Sequence, residues 1–334
     1  MLARGSSFQV KQGADDSGMG KSQLCLQLAI QVQLPRNMGG FNAGAVYIGT
    51  ESALATPRLC QIADSLVSEL QTSPPPNIPE TDLKAAISGL STHGDRIYYI
   101  HCPDLEAQEH IVTFQLPVIL SRHSIGLVIL DSITANYRAE FDIPNAPQSL
   151  STRAAQMAQR SKALRKLAGK LKDLAIERNV AVLAVNQVTD NFQLLSQAVG
   201  VSTPEEKSLL ALDYQARWFD GSIDEFGMED GMKKPALGLV WANLITSRIM
   251  LVRDGNGTMR IKVVFSPFAK PGSLVYGIKG GMGLYAVDKA MGADVGVQSG
   301  GLRDTTEKAS LENGFDVGFS DFDIGDEFDS IPDR

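Results

Sequence analysis

Cysteine, tryptophan and histidine are scarce in this 334-residue chain, at three, two and four copies. Cys25, Cys60 and Cys102 are odd in number and scattered through apolar stretches, so neither a disulfide framework nor a zinc spacing is present. Three reduced core thiols are the expectation. His93, His101, His110 and His123 form no ligand pattern, and a structural metal is not expected. Nowhere do about 18 apolar residues run together, so no membrane span is expected. The N-terminal MLARGSSFQVKQG lacks the apolar stretch of a secretory signal. These absences point to an intracellular site.

Basic excess is also missing, since the net charge is −7. Its location matters more than its sign. From Leu311 onward Glu312, Asp316, Asp321, Asp323, Asp326, Glu327, Asp329 and Asp333 face only Arg334, so this tail holds the whole excess. The body before it is neutral overall, and an acidic isoelectric point does not exclude a nucleic-acid partner.

What is present is an alternation of short apolar runs with helical patterns, which predicts an α/β fold, a mainly parallel sheet flanked by helices. Strands are expected at Phe8–Val10, Ala45–Ile48, Ile97–His101, Leu127–Leu130 and Val180–Val185, and helices at Lys21–Gln33, Pro57–Glu69, Leu105–Arg122 and Thr152–Arg178. After about Pro235 the pattern changes. Ser247–Val252 and Met259–Phe265 flank the turn signal Asp254-Gly255-Asn256-Gly257, and Leu274–Ile278 offers a third strand, which predicts an antiparallel C-terminal extension. Leu195–Lys234 is polar and without steady periodicity. Residues 1–290 are expected to form one core and 291–334, rich in Gly and Asp, a disordered acidic tail.

Chemistry concentrates in four places. The first is Gly13-Ala-Asp-Asp-Ser-Gly18-Met-Gly20-Lys21-Ser22, between a strand and an amphipathic helix. In a P-loop, backbone N–H groups and a helix N-terminus wrap the phosphates, Lys adds charge, and Ser binds Mg²⁺. The spacing departs at one end, because the pattern calls for Gly where Asp15 stands. Either the loop carries two extra residues, or Asp15 replaces the first glycine and repels phosphate. Taken alone, the segment also fits an ordinary Gly-rich turn. The second is Glu51, closing the strand Ala45-Val-Tyr-Ile-Gly-Thr, where a carboxylate can orient a water for attack. The third is Asp131 after Leu127-Val-Ile-Leu, the Walker B pattern that sets a carboxylate beside Mg²⁺. The fourth is Asn186-Gln187 after another apolar strand, amides able to sense a γ-phosphate.

Taken in order, GMGKSQLCLQLAIQVQLP, YIGTE…PRL, LVILDSITANYRAEF, VAVLAVNQVT and KPALGLVWANLITSRIMLVR resemble the RecA-like eukaryotic recombinases, the Rad family. The match runs from Ser17 to about Val287. It is most similar to the mediator paralogue branch, nearest the fungal counterparts of the X-ray-repair cross-complementing paralogue. The resemblance implies a RecA-like P-loop NTPase core using ATP and Mg²⁺. Within it Gly18, Gly20, Lys21 and Ser22 would bind phosphate and metal, Asp131 the metal, and Glu51 would be the catalytic-type acid. Gln187 would be the sensor, and Arg58 would pack on the adenine. It also implies two DNA-facing loops, Arg138–Ala154 and Val188–Lys234, with Arg138, Arg153, Arg217, Lys233 and Lys234 as DNA-binding candidates. Ser266-Pro267 falls where family members reach a neighbouring subunit's ATP. The family's N-terminal DNA-binding domain and linker strand are not expected in the few residues before the P-loop, through truncation, a misassigned start or a real difference, and self-polymerisation is not expected of the sequence as given.

The function so implied is that of an ATP-binding paralogue in homologous-recombination DNA repair. It would assist recombinase assembly on single-stranded DNA in the nucleus and pair with another paralogue as a heterodimer. Weak DNA-dependent ATPase activity goes with it. The alternatives are an ATPase that performs strand exchange itself, or a RecA-like ATPase of unrelated role. Arg153, Arg160, Lys162, Arg165, Lys166, Lys170, Lys172 and Arg178 crowd one predicted helix. They suit phosphate neutralisation, or simply form its solvated face. Tyr214, Trp218 and Phe219 suit base stacking or a protein interface.

Overall fold

The computed structural model describes residues 7–12, 19–92, 94–141, 150–186, 188–190, 233–235, 237–254 and 256–287. The chain divides into two units, Met1–Met291 and Gly292–Arg334, and every described residue lies in the first. The expected tail and residues 142–149 and 191–232 lie outside the described set.

The first half builds β1 (Ser7–Gln12), α1 (Lys21–Gln31), β2 (Gly44–Gly49), α2 (Thr56–Thr72), α3 (Glu80–Leu90), β3 (Ile97–His101), α4 (Leu105–His110), α5 (Leu116–Arg122) and β4 (Ile125–Asp131). Then follow α6 (Ile133–Phe141), α7 (Leu150–Glu177), β5 (Ala181–Asn186), β6 (Val188–Asp190), β7 (Lys233–Pro235), α8 (Gly238–Ala242), β8 (Ser247–Arg253), β9 (Met259–Phe265), β10 (Gly272–Lys279) and β11 (Gly283–Ala286). Among the described residues nine strands form one sheet in the order β11-β10-β9-β8-β1-β5-β4-β2-β3. From β8 to β3 the pairs are parallel, and β9, β10 and β11 extend the β8 edge antiparallel. This is the RecA-like layout expected, with its antiparallel extension.

The apolar runs become central strands because both faces of the sheet are covered. β2 and β5 are buried at every position, and β4 at all but Asp131. Alternation then divides the strands between two cores. Ala45, Tyr47, Leu127, Ile129, Leu183 and Val185 face α1, α2 and α3. Val46, Ile48, Val128, Leu130, Val182 and Ala184 face α4 to α8. By the same parity Asp131 falls on the α1 side, the side of the phosphate-loop helix.

Several boundaries differ from expectation. Leu105–Arg122 is not one regular helix. A π-helical turn, Ile111–Gln115, separates α4 from α5 next to Pro117, whose ring lacks an N–H and crowds the carbonyl four residues back. Asp104 caps α4 by accepting the Ala107 N–H at 2.7 Å. α3, α6 and β11 add elements that the pattern does not mark. The segment Arg138–Ala154, expected as a loop, is entered by helix from both sides. Arg138 sits in the last turn of α6, and α7 begins at Leu150.

Candidate nucleotide site

Helix α1 starts without a side-chain cap and without an acid in its first turn. Its first amides therefore have no acceptors within the helix, and its positive dipole end suits an anion. Gly20 precedes it in the left-handed region at φ 83°. A Cβ on Gly20 would stand 2.7 Å from Ile278 Cδ1, so β10 packs directly against this corner. Met19 is fully buried, and its carbonyl accepts the Tyr276 hydroxyl at 2.7 Å. Gly18, with Asp15 and the irregular spacing, lies outside the described residues.

Lys21 and Ser22 open α1 toward the carboxyl ends of β2 and β4. Ser22 Oγ donates to Asp131 Oδ2 at 2.8 Å, and the Tyr47 hydroxyl donates to the same oxygen at 2.5 Å. Burial lowers the affinity of Lys21 for its proton, while Asp131, Glu51 and Cys25 act in the opposite direction. Burial raises the pKa of Tyr47 far above the ordinary phenol value, helped by the nearby Cys25 and Asp131, so its hydroxyl stays a donor.

The strand ends are clipped together beyond Asp131. Thr50 N donates to the Asp131 carbonyl at 3.0 Å, and Thr50 Oγ1 exchanges hydrogen bonds with the Ser132 peptide, each at 2.9 Å. The Asp131–Ser132 peptide is cis. Glu51, exposed on the turn after β2, accepts from Ser132 Oγ at 3.3 Å. Sequence patterns thus bring Lys21, Ser22, Glu51 and Asp131 to one corner. They miss Tyr47, Thr50 and Ser132, for which only the register of β2 against β4 carries a signal.

Arg58, in the first turns of α2, donates Nε to Gln23 Oε1 at 2.9 Å, one Nη to Gln61 Oε1 at 3.0 Å and the other to the Lys279 carbonyl at 3.3 Å. It ties α1, α2 and β10 together at the rim. Gln27 seals the same edge by pairing with both backbone groups of Leu284.

At the end of β5, Asn186 is fully buried and accepts from Thr134 Oγ1 at 2.6 Å. Its Nδ2 has no hydrogen-bond partner among the described residues. Gln187, the expected sensor, lies outside them, so Asn186 is the amide that the structure sets beside α6.

The DNA-binding candidates are spread wider. Arg138 is exposed at the end of α6, and Arg153 lies in α7. Lys233 and Lys234 belong to β7, which pairs antiparallel with β6, and Arg217 falls outside the described residues. Along α7, Lys162, Arg165, Lys166 and Lys170 are exposed, with Lys166 paired to Glu109. Ser266, after β9, bonds Ser247 Oγ at 3.0 Å. Among the described residues no helix is long and apolar enough to cross a membrane, and no group of three or more His, Cys, Asp or Glu could hold a metal on its own.

The family model Rad51 matches residues 14–73 and 91–208. The chain is 42% identical over 264 residues to DNA repair protein rhp57 of Schizosaccharomyces pombe, covering 78% of this chain and 68% of that protein. It is 31% identical over 277 residues to DNA repair protein XRCC3 of Mus musculus, covering 79% and 66%. With DNA repair protein RAD57 of Saccharomyces cerevisiae the identity is 35% over 208 residues, 62% of this chain and 38% of the relative. The chain thus spans about two-thirds of the first two relatives and far less of the third. A family match over more than half of the sequence, on a sheet of this topology, shows that the chain belongs to the nucleotide-binding Rad51 family.

Proposed function

We propose that this chain is an ATP-binding recombinase paralogue of homologous-recombination DNA repair, acting in the nucleus. In this reading it pairs with another paralogue as a heterodimer and assists assembly of the main recombinase filament on single-stranded DNA. Its ATP-binding core spans residues 1–290, with 291–334 as an acidic appendage. The repair role draws on the relatives, whose names are those of DNA repair proteins.

The observation that carries the nucleotide half is the 2.8 Å bond from Ser22 to Asp131 beside half-buried Lys21. A hydroxyl and a carboxylate are hard oxygen donors that suit Mg²⁺, which takes one or two protein ligands and completes its shell with water and substrate phosphate. The uncapped N-terminus of α1 and the Lys21 ammonium suit the phosphates. Mg²⁺ and triphosphate, when bound, would supply the cation and the transferable phosphoryl group. Lys21 and the first-turn amides would take phosphate oxygens, Ser22 and Asp131 would hold the cation, and Arg58 would flank the adenine. Glu51 would orient water, and Gln187, next to the buried Asn186, would report the γ-phosphate to the segment beyond β5.

Calorimetry with Mg-ATP on the folded chain tests this. Saturable heat is expected, and Lys21→Ala removes it; equal affinity in the variant would refute the site. A second reading, an ATPase that itself performs strand exchange, is favoured by Glu51 on the turn after β2, a carboxylate beside Ser132 that could serve as a base. Purification from cells separates the two, since a stable unequal partner supports the mediator and strand exchange by the isolated chain supports the second reading.

A further inference from the structure

Two hydroxyls meet on one oxygen of Asp131, and only one belongs to a motif. Ser22 Oγ donates to Oδ2 at 2.8 Å as part of the phosphate-loop pattern, and Tyr47 donates to the same atom at 2.5 Å from the neighbouring strand. The register explains how. Gly49 is the direct partner of Asp131 across β2 and β4, and Tyr47 lies two residues earlier. That is about 6.6 Å of strand rise, the distance over which a tyrosine ring can carry its hydroxyl along a sheet face. Gly49 cannot supply a contact itself. It has no side chain, and a Cβ there would stand 2.9 Å from the Tyr99 ring.

Tyr47 is 6% exposed and packs in the core beneath α1. A phenylalanine would fill the same volume, so what the tyrosine adds is its hydroxyl, aimed at Asp131. A carboxylate that accepts two donors on Oδ2 is held in rotation, and its Oδ1 carries neither of them. Ser22 directs its own proton to the same Oδ2 and is also a hydrogen-bond neighbour of the Tyr47 hydroxyl.

We propose that Tyr47 is a positioning residue of the cation site, fixing the Asp131 carboxylate through Oδ2 so that Oδ1 serves the Mg²⁺ shell. This rests on the nucleotide reading above. It acts through Asp131 and touches neither nucleotide nor metal. Outer-shell hydrogen bonds of this kind typically set metal affinity by tenfold or more.

The test titrates the full chain with a fluorescent ATP analogue carrying a methylanthraniloyl group, across a series of Mg²⁺ concentrations and in EDTA. Tyr47→Phe should raise the Mg²⁺ concentration at half-saturation about tenfold. It should leave the affinity in EDTA unchanged, because packing and phosphate contacts remain. In an Asp131→Asn background the same substitution should add nothing. An unchanged Mg²⁺ midpoint, or a further loss in the Asp131→Asn background, overturns the positioning role. If the wild-type chain does not bind the analogue at any Mg²⁺ concentration, the nucleotide reading itself fails and takes this proposal with it. A Tyr47→Phe chain that loses affinity equally in EDTA shows a packing effect, and that result also overturns it.

Discussion

The hydroxyl of Tyr276, in β10, donates to the backbone carbonyl of Met19 at 2.7 Å across 257 residues of sequence. The antiparallel extension therefore braces the residue before Gly20 from behind. Removing the hydroxyl with Tyr276→Phe leaves a buried carbonyl short of this donor, at a cost of about 1–3 kcal/mol. Urea unfolding should show that loss, and Mg-ATP affinity should fall with it because the loop loses its brace. Stability lost with affinity intact would separate β10 from the site.

Gly20 combines φ 83° with the approach of Ile278. The Ile278 contact is with a terminal methyl, which can move, so the left-handed backbone sets the cost. Gly20→Ala should destabilise by about 1–2 kcal/mol and reduce nucleotide binding more than Ile278→Ala does. Parallel calorimetry on the two variants decides this, and equal affinities would remove the backbone argument.

Much of this corner is legible in the sequence because its residues interrupt apolar patterns. Lys21-Ser22 open a helix, Asp131 ends a buried strand, and Glu51 follows another. Tyr47 is not legible in the same way. In a strand buried on both faces, no polar alternation marks which side a residue takes, so its aim at Asp131 emerges only from the β2–β4 register. α3 escapes because it follows the Pro-rich stretch 74–79 and carries Ser88 and Gly89 in its last turn. β11 escapes because Gly280, Gly281 and Gly283 read as a turn, whereas Gly283 already pairs with Lys279. The π-helical turn before Pro117 shows the reverse case, in which the residue that disturbs the helix is visible but the way the chain absorbs it is not.

Cys102 is fully buried between β3 and α4, where it accepts from Asn136 Nδ2 at 3.3 Å. Burial pushes its thiol up to about 11 from 9.0, against the Asn136 bond and with help from Asp104. Between those values the unfolded chain has released a proton that the folded chain keeps, so the folded state binds more protons. Stability from this group is full below pH 9.0, falls as pH rises toward about 11 and then levels. Cys102→Ala should flatten that part of the urea midpoint–pH curve relative to wild type, and curves of equal slope would show that the thiol titrates normally. At pH 8 alkylating reagents should label half-buried Cys60 in the folded chain and spare Cys102.

β6 and β7 pair Asp190 with Lys233, the described residues on either side of 191–232. Because these two flanking residues are already paired, the sequence between them can be exchanged for a two-residue Asn-Gly turn without stretching the strands. The shortened chain should keep its thermal stability and its Mg-ATP affinity, because the phosphate-binding residues lie on α1, β2 and β4. Single-stranded DNA binding should fall sharply, since the exchange removes Arg217 with Tyr214, Trp218 and Phe219, the residues suited to phosphate contact and base stacking. Binding curves at several salt concentrations also count the lost charges. The slope of log affinity against log salt should drop by about 0.7 for each phosphate contact removed. An unchanged slope and affinity would move DNA contact to the exposed basic face of α7. In that case Lys162→Glu with Lys170→Glu would abolish what the exchange spared.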